Sequence, residues 1–157
     1  FVEGKITFPE IKPTPICSDR LAVVCATDYG CGASLCIADL AGERLLLRET
    51  GSASRDSLDR LFSAAKLNAE PVMTSVSNSA LISACIAGFG IAVLPEGLLH
   101  GADTAASLRR INITDADLTR ESFLIIHKNK RLTPVQSEIC TLCLSILRGQ
   151  TKASSHP

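Results

Sequence analysis

The chain has 157 residues, 46% of them hydrophobic and 20% charged, and its sixteen basic residues balance sixteen acidic ones. That is enough apolar material for one folded domain of ordinary size, which excludes intrinsic disorder. A formal net charge of zero leaves no field to draw the chain onto DNA, RNA or an anionic membrane, and no apolar run approaches the roughly 18 residues of a membrane span.

Apolar alternation predicts strands near Lys5–Phe8, Thr14–Cys17 and Arg20–Ala26, and the run LLLR predicts another at Leu45–Arg48. From Arg55 to Lys66, Leu58, Leu61, Phe62 and Ala65 recur at i, i+3, i+4 and i+7, one stripe of an amphipathic helix with Asp56, Asp59 and Arg60 outside. A strand at Val72–Val76 precedes a second helix, Asn78–Ala87, whose inner face is Leu81, Ile82, Cys85 and Ile86. The stretch ACIAGFGIAVLPEG, Ala84 to Gly97, is the most informative of the chain. Gly88 and Gly90 let the backbone take left-handed or close-packed geometry where that helix stops. Ile91–Leu94 is then unbroken apolar, as a strand covered on both faces requires, and Pro95 can open the following helical turn. Strands near Ile111–Ile113 and Ser122–His127 lead to a last helix, Pro134–Arg148, with Val135, Ile139, Leu142, Cys143, Ile146 and Leu147 inward. Thr133 and Gln136 supply its capping box, Gly149 its stop, and Gln150–Pro157 reads as a disordered polar tail.

Alternating strands and helices give an α/β class with a largely parallel sheet. Ligands of such sheets bind beyond the carboxyl ends of strands, where helix N-termini point. Two strand ends here are rich in small hydroxyl and amide groups, Glu49-Thr50-Gly51-Ser52-Ala53-Ser54 and Thr74-Ser75-Val76-Ser77-Asn78-Ser79, and each runs straight into a helix. Free backbone N–H groups, helix dipoles and hydroxyls would converge there on a small anion or polar solute. The plainer reading makes Ser52 or Ser54, and Ser77, helix caps worth about 1 kcal/mol each.

No nucleophile–base pair, HExxH, GxSxG or phosphate-loop pattern is present, so the sequence does not read as an enzyme. Seven cysteines without a secretory signal point to a reducing cytoplasm. Cys140 and Cys143 lie i, i+3 on one helix, and Cys31 and Cys36 bracket a small-residue loop. At best each pair is half a metal or redox site, and buried apolar thiols are the commoner case. No cofactor and no metal follow from these residues. The start FVEGKITF carries no initiator methionine and no element-start signal, which reads as the edge of a fragment.

Four stretches together resemble the C-terminal effector-binding region of LysR-type transcriptional regulators. They are Val2–Gly4, Asp39–Asp59, Ser77–Gly97, and the strand Ser122–His127 leading to Leu132–Leu144. The resemblance implies a fold like type II periplasmic binding proteins, with one complete Rossmann-like subdomain plus part of a second. Residues 1–19 would be part of the first subdomain and 20–127 the crossover strands with the complete second. Residues 128–149 would be the return helix. The inducer would sit in the cleft between subdomains, lined by Glu49, Thr50, Gly51, Ser52, Ser75, Val76, Ser77 and Asn78 and faced by Glu3 and Gly4. Arg55 would support a helix start. The implied partner is a small-molecule effector. DNA would be reached only through a helix-turn-helix absent from this chain, and the intact protein would be a cytoplasmic homo-oligomer without membrane contact. A solute-binding protein of a transport system, sharing the fold, is the rival expectation.

Overall fold

The protein was described from a computed structural model, which covers residues 2–3, 8–101 and 106–153, the side chains of Glu3 and of residues 148–153 excepted. Two compact units divide the chain, Arg20–Thr119 and the pair Phe1–Asp19 with Arg120–Pro157.

In the Arg20–Thr119 unit β4, Leu45–Arg48, lies one strand in from the sheet edge. It pairs in parallel with β5, Met73–Ser75, and with β6, Ile91–Pro95. Beyond β6 lies β2, Ile11–Ala26, antiparallel to β6 and to β7, Leu108–Ile113. A two-residue strand β3, Ser34–Leu35, pairs in parallel with β7. The sheet is therefore mixed rather than largely parallel. β2 runs into the unit as one unbroken strand and against β6, where the second strand of a βαβ step would run with it.

Residue parity sorts the core. Leu45 and Leu47, Ile91 and Val93, and Leu21, Val23 and Cys25 join one buried cluster with Leu58 and Phe62. Leu46, Ala92, Leu94, Ala22 and Val24 join the other, with Leu81, Ala84 and Cys85. Successive strand residues point to opposite faces, so these unbroken apolar runs are buried twice. One face is covered by α1, Ile37–Ala41, and α2, Ala53–Ala64, the other by α3, Asn78–Ile86. The expected stripes are narrower than their periodicity implied, for Ala65 is exposed and Ile86 is 41% exposed. Ala84, rather than Ile86, takes the inward place and joins the buried cluster.

The two glycines after α3 act differently. Gly88 has φ +77°, the left-handed position of a helix stop. Gly90 does not. A Cβ there would meet the Arg44 carbonyl oxygen at 2.0 Å, because the next amide, Ile91, donates to that same oxygen at 2.8 Å. Pro95 ends β6 and caps the 3₁₀ turn Glu96–Leu99, one position earlier than expected.

In the other unit, β1 (Val2–Glu3) pairs antiparallel with β8 (Thr119–His127), with Val2 opposite Phe123. The strands expected at Thr14–Cys17 and Arg20–Ala26 are one continuous β2. At its midpoint the Asp19 carboxylate accepts from Nε of the buried Arg120 at 2.9 Å. The strand expected at Lys5–Phe8 falls mostly outside the described residues. The last helix, α4, spans Pro134–Ala153. Its capping box is formed as expected, the Thr133 Oγ1 accepting from the Gln136 amide at 3.3 Å and the Thr133 amide donating to Gln136 Oε1 at 3.1 Å. The helix continues through Gly149, a residue that costs only about 1 kcal/mol inside a helix, so the stop expected there is not made; the rest of the expected tail, 154–157, lies outside the described residues. Of the face expected inward, Val135, Ile139, Leu142 and Ile146 are each more than half exposed. Cys143 and Leu147 of that face are half-buried.

Candidate effector site at two adjoining helix starts

The two strand ends singled out by their hydroxyl groups lie side by side. Parallel pairing of β4 with β5 sets Arg48 opposite Ser75, so both chains leave the sheet at one level and turn into α2 and α3. From Arg48 the chain reverses through Glu49-Thr50-Gly51-Ser52, the Ser52 amide donating to the Glu49 carbonyl at 3.2 Å. Gly51, with φ +88°, occupies the third position of this turn, where a type II turn needs glycine. Ser52 is then the N-cap of α2, its Oγ accepting from the Arg55 amide at 3.2 Å. The second start repeats the device. Ser77 caps α3, its Oγ accepting from the Ala80 amide at 3.3 Å, and the Ser77 amide donates to Ser75 Oγ at 3.1 Å.

Both serines are thus helix caps. The cap consumes one acceptor site of each hydroxyl and leaves its proton free to donate. Among the described residues, the Ala53, Asn78 and Ser79 amides take no protein partner, as expected of first-turn N–H groups. Donors and two helix dipoles therefore gather at one sheet edge. Thr50 and Gly51 are exposed at its rim, as is Val76, at 74%.

A residue not singled out from the sequence ties the two starts together. Arg48 donates twice to the Glu49 carboxylate, from Nε at 2.7 Å and Nη2 at 2.9 Å, and from Nη1 to Asn78 Oδ1 at 3.0 Å. The paired guanidinium holds the Glu49 carboxyl below its usual range, chiefly through these hydrogen bonds. Glu49 accordingly stays charged, but its charge is met by Arg48. The signal for Arg48 was an Arg-Glu pair closing an apolar strand. Arg55 supports the helix start, binding Asp59 one turn on with Nε at 2.8 Å and reaching the Arg48 carbonyl with Nη1 at 3.5 Å. Of the other two expected residues, Glu3 lies in β1 opposite Ser122, in the other unit, and Gly4 lies outside the described residues.

Comparisons with known proteins agree with this architecture. The family model described as the LysR substrate binding domain matches residues 1–147. The regulator CbbR of Rhodospirillum rubrum is 26% identical over 126 residues, 80% of this chain and 41% of its own length. The RuBisCO operon transcriptional regulator of Allochromatium vinosum is 26% identical over 141 residues, 87% of this chain and 46% of its own. The chain thus spans less than half the length of these relatives. Among solved structures, the regulatory domain of CcmR from Synechocystis PCC6803, in complex with 2-PG, superposes with a TM-score of 0.79. It is 22% identical, and the match covers 94% of this chain and 72% of that one. The effector-binding domain of QuiR, in complex with shikimate, gives 0.74 at 19% identity, covering 90% and 67%. The family match overturns the transport-protein reading. The fold is that of effector-binding domains with a periplasmic-binding-protein-like architecture, and the chain belongs to the LysR substrate-binding domain family.

Proposed function

We propose that this chain is the effector-sensing region of a LysR-type regulator and that a small polar or anionic metabolite binds at Thr50–Ser52 and Ser75–Asn78. The Arg20–Thr119 unit is then the complete second subdomain, and the remainder part of the first. The observation that carries the reading is the register of β4 against β5, which sets two capped helix starts next to each other and lets Arg48 span them. Helix starts with unbonded amides favour anions. The complexes of CcmR with 2-PG and of QuiR with shikimate support an acid as the ligand class. Regulation follows from differential affinity, because a ligand shifts a conformational equilibrium only as far as it prefers one arrangement. No catalytic step is assigned to any residue. DNA contact, homo-oligomer formation and a cytoplasmic location are proposed for the intact protein. No helix among the described residues is long and apolar enough to cross a membrane.

The test is a thermal-shift panel of small carboxylates and phosphorylated acids, 2-PG and shikimate included, on the whole chain. A ligand bound only by the folded state raises the midpoint. The reading expects at least one acid to raise it, and expects Ser52→Ala with Ser77→Ala to abolish the rise. A flat panel, or a rise indifferent to both substitutions, overturns it.

A further inference from the structure

Away from these helix starts, the end of β2 and the loop after it bring two thiols and a guanidinium together. Cys25 is fully buried, pairs across the sheet with Arg109 and shares that residue's face. The loop after Ala26 folds back over this point, so that Cys31 Sγ stands 3.8 Å from Cys25 Sγ. Arg109 Nη2 donates to the Cys31 carbonyl at 2.7 Å, to the Tyr29 carbonyl at 2.9 Å and to Cys31 Sγ at 3.1 Å. Cys31 is therefore half-buried on a loop whose position one arginine sets, with Gly30 and Gly32 on either side. A side chain at Gly30 would meet open space.

We propose that Cys25 and Cys31 form a reversible disulfide, a modification site on the effector-sensing unit that works by exchange with low-molecular-weight disulfides. The sulfurs must close by about 1.8 Å to reach bonding distance. Cys25 is fixed in the sheet, so the loop residue makes the movement. Burial pushes the Cys25 thiol up to about 12, with the neighbouring Cys31 adding to the effect. Cys25 thus stays a protonated thiol, and Cys31, the more exposed of the two, meets the reagent first. The Cys31 thiolate attacks one sulfur of the small disulfide RSSR, forming the mixed disulfide and expelling RS⁻. Cys25 then attacks the Cys31 sulfur, and its proton leaves on the second RS⁻ as RSH; the first RS⁻ takes up the proton that Cys31 released. Two protein thiols are oxidised by two electrons and one RSSR is reduced to two RSH. The pair differs from the one that sequence spacing suggested. Cys36 lies elsewhere, as the N-cap of α1, its Sγ accepting from the Asp39 amide at 3.4 Å.

The experiment uses the whole chain carrying Cys36→Ser, a substitution that preserves a capping side chain. The protein is equilibrated across a glutathione redox series, alkylated and digested with trypsin. Peptide Leu21–Arg44 then contains only Cys25 and Cys31. Under oxidising buffer the proposal expects this peptide to lose two hydrogens and both alkylation sites, reversibly on reduction. Cys31→Ser in the same background is expected to leave Cys25 fully alkylated after denaturation. Persistent alkylation of both thiols across the series, or stable glutathionylation of Cys31 with Cys25 still free, overturns the proposal. So does a Cys31–Cys36 bridge in the unsubstituted chain.

Discussion

At the start of α2 the chain reverses through Gly51 at φ +88°, and Ser54, two residues past the cap, is 6% exposed. At the start of α3 no described residue takes a positive φ, Ser77 and Ser79 are exposed, and the Ser75 hydroxyl orders the turn instead. The first start is fixed by backbone geometry and by packing, the second by a hydroxyl in solvent. Capping accounts for both serines taken singly. It does not account for Arg48, which reaches out of one start to hold Asn78 of the other. That arm makes one surface out of two caps.

The largest effect comes from the scaffold beneath both starts. Gly90→Val would drive a Cβ into the Arg44 carbonyl at the root of β4, and circular dichroism is expected to show loss of the cooperative melt. Gly88→Val introduces only left-handed strain, about 2 kcal/mol, so that protein should fold with a lowered midpoint. Equal behaviour of the two variants would show that Gly90 is not at a close backbone approach.

The turns themselves should separate next. Gly51→Val should cost about 2 kcal/mol by urea denaturation, because an L residue resists its φ. Val76→Ser, at the exposed counterpart, should stay within about 0.5 kcal/mol. The caps should differ less. Ser52→Ala is expected to cost about 1 kcal/mol and Ser77→Ala about 0.5 kcal/mol, the second cap being more open to water. A reversed order would mean that the α3 start is the firmer of the two.

The smallest effect is electrostatic. Glu49 titrates below its ordinary value of 4.5 because Arg48 bonds its charged form. A group whose pKa is lowered by folding contributes stability above its unfolded value and loses it as pH falls through the folded value. Melts from pH 6 to pH 3 should therefore decline slightly more steeply below pH 4.5 in the unsubstituted chain than in Glu49→Gln. Parallel curves would show that the Arg48 arm carries no measurable stability through Glu49.

Much of this arrangement was legible because burial on both faces leaves its mark in composition. Leu45–Leu47 and Ile91–Leu94 have no polar residue to give either face to water, and both are interior strands buried on two faces. The serines before α2 and α3 were legible because few other residues cap a helix well. β3 was not legible, since two residues have no period and its pairing with β7 joins segments far apart in sequence. α1 was missed because cysteine is a rare cap; the pattern Cys36-x-x-Asp39 carries its capping box. Arg48 could not be placed without the β4–β5 register, and the partner of Cys31 could not be found without β2 against β7. Neighbours in space across a sheet leave no trace in local spacing.

The most direct test keeps both caps and reverses the charge they offer. Aspartate caps helices as well as serine, so Ser52→Asp with Ser77→Asp should melt close to the unsubstituted chain. Titration calorimetry with the acid from the panel that raises the midpoint most should then show affinity weakened by about tenfold or more, since two carboxylates face the bound anion. Unchanged affinity in a protein of unchanged midpoint would contradict the assignment of the effector to these two helix starts.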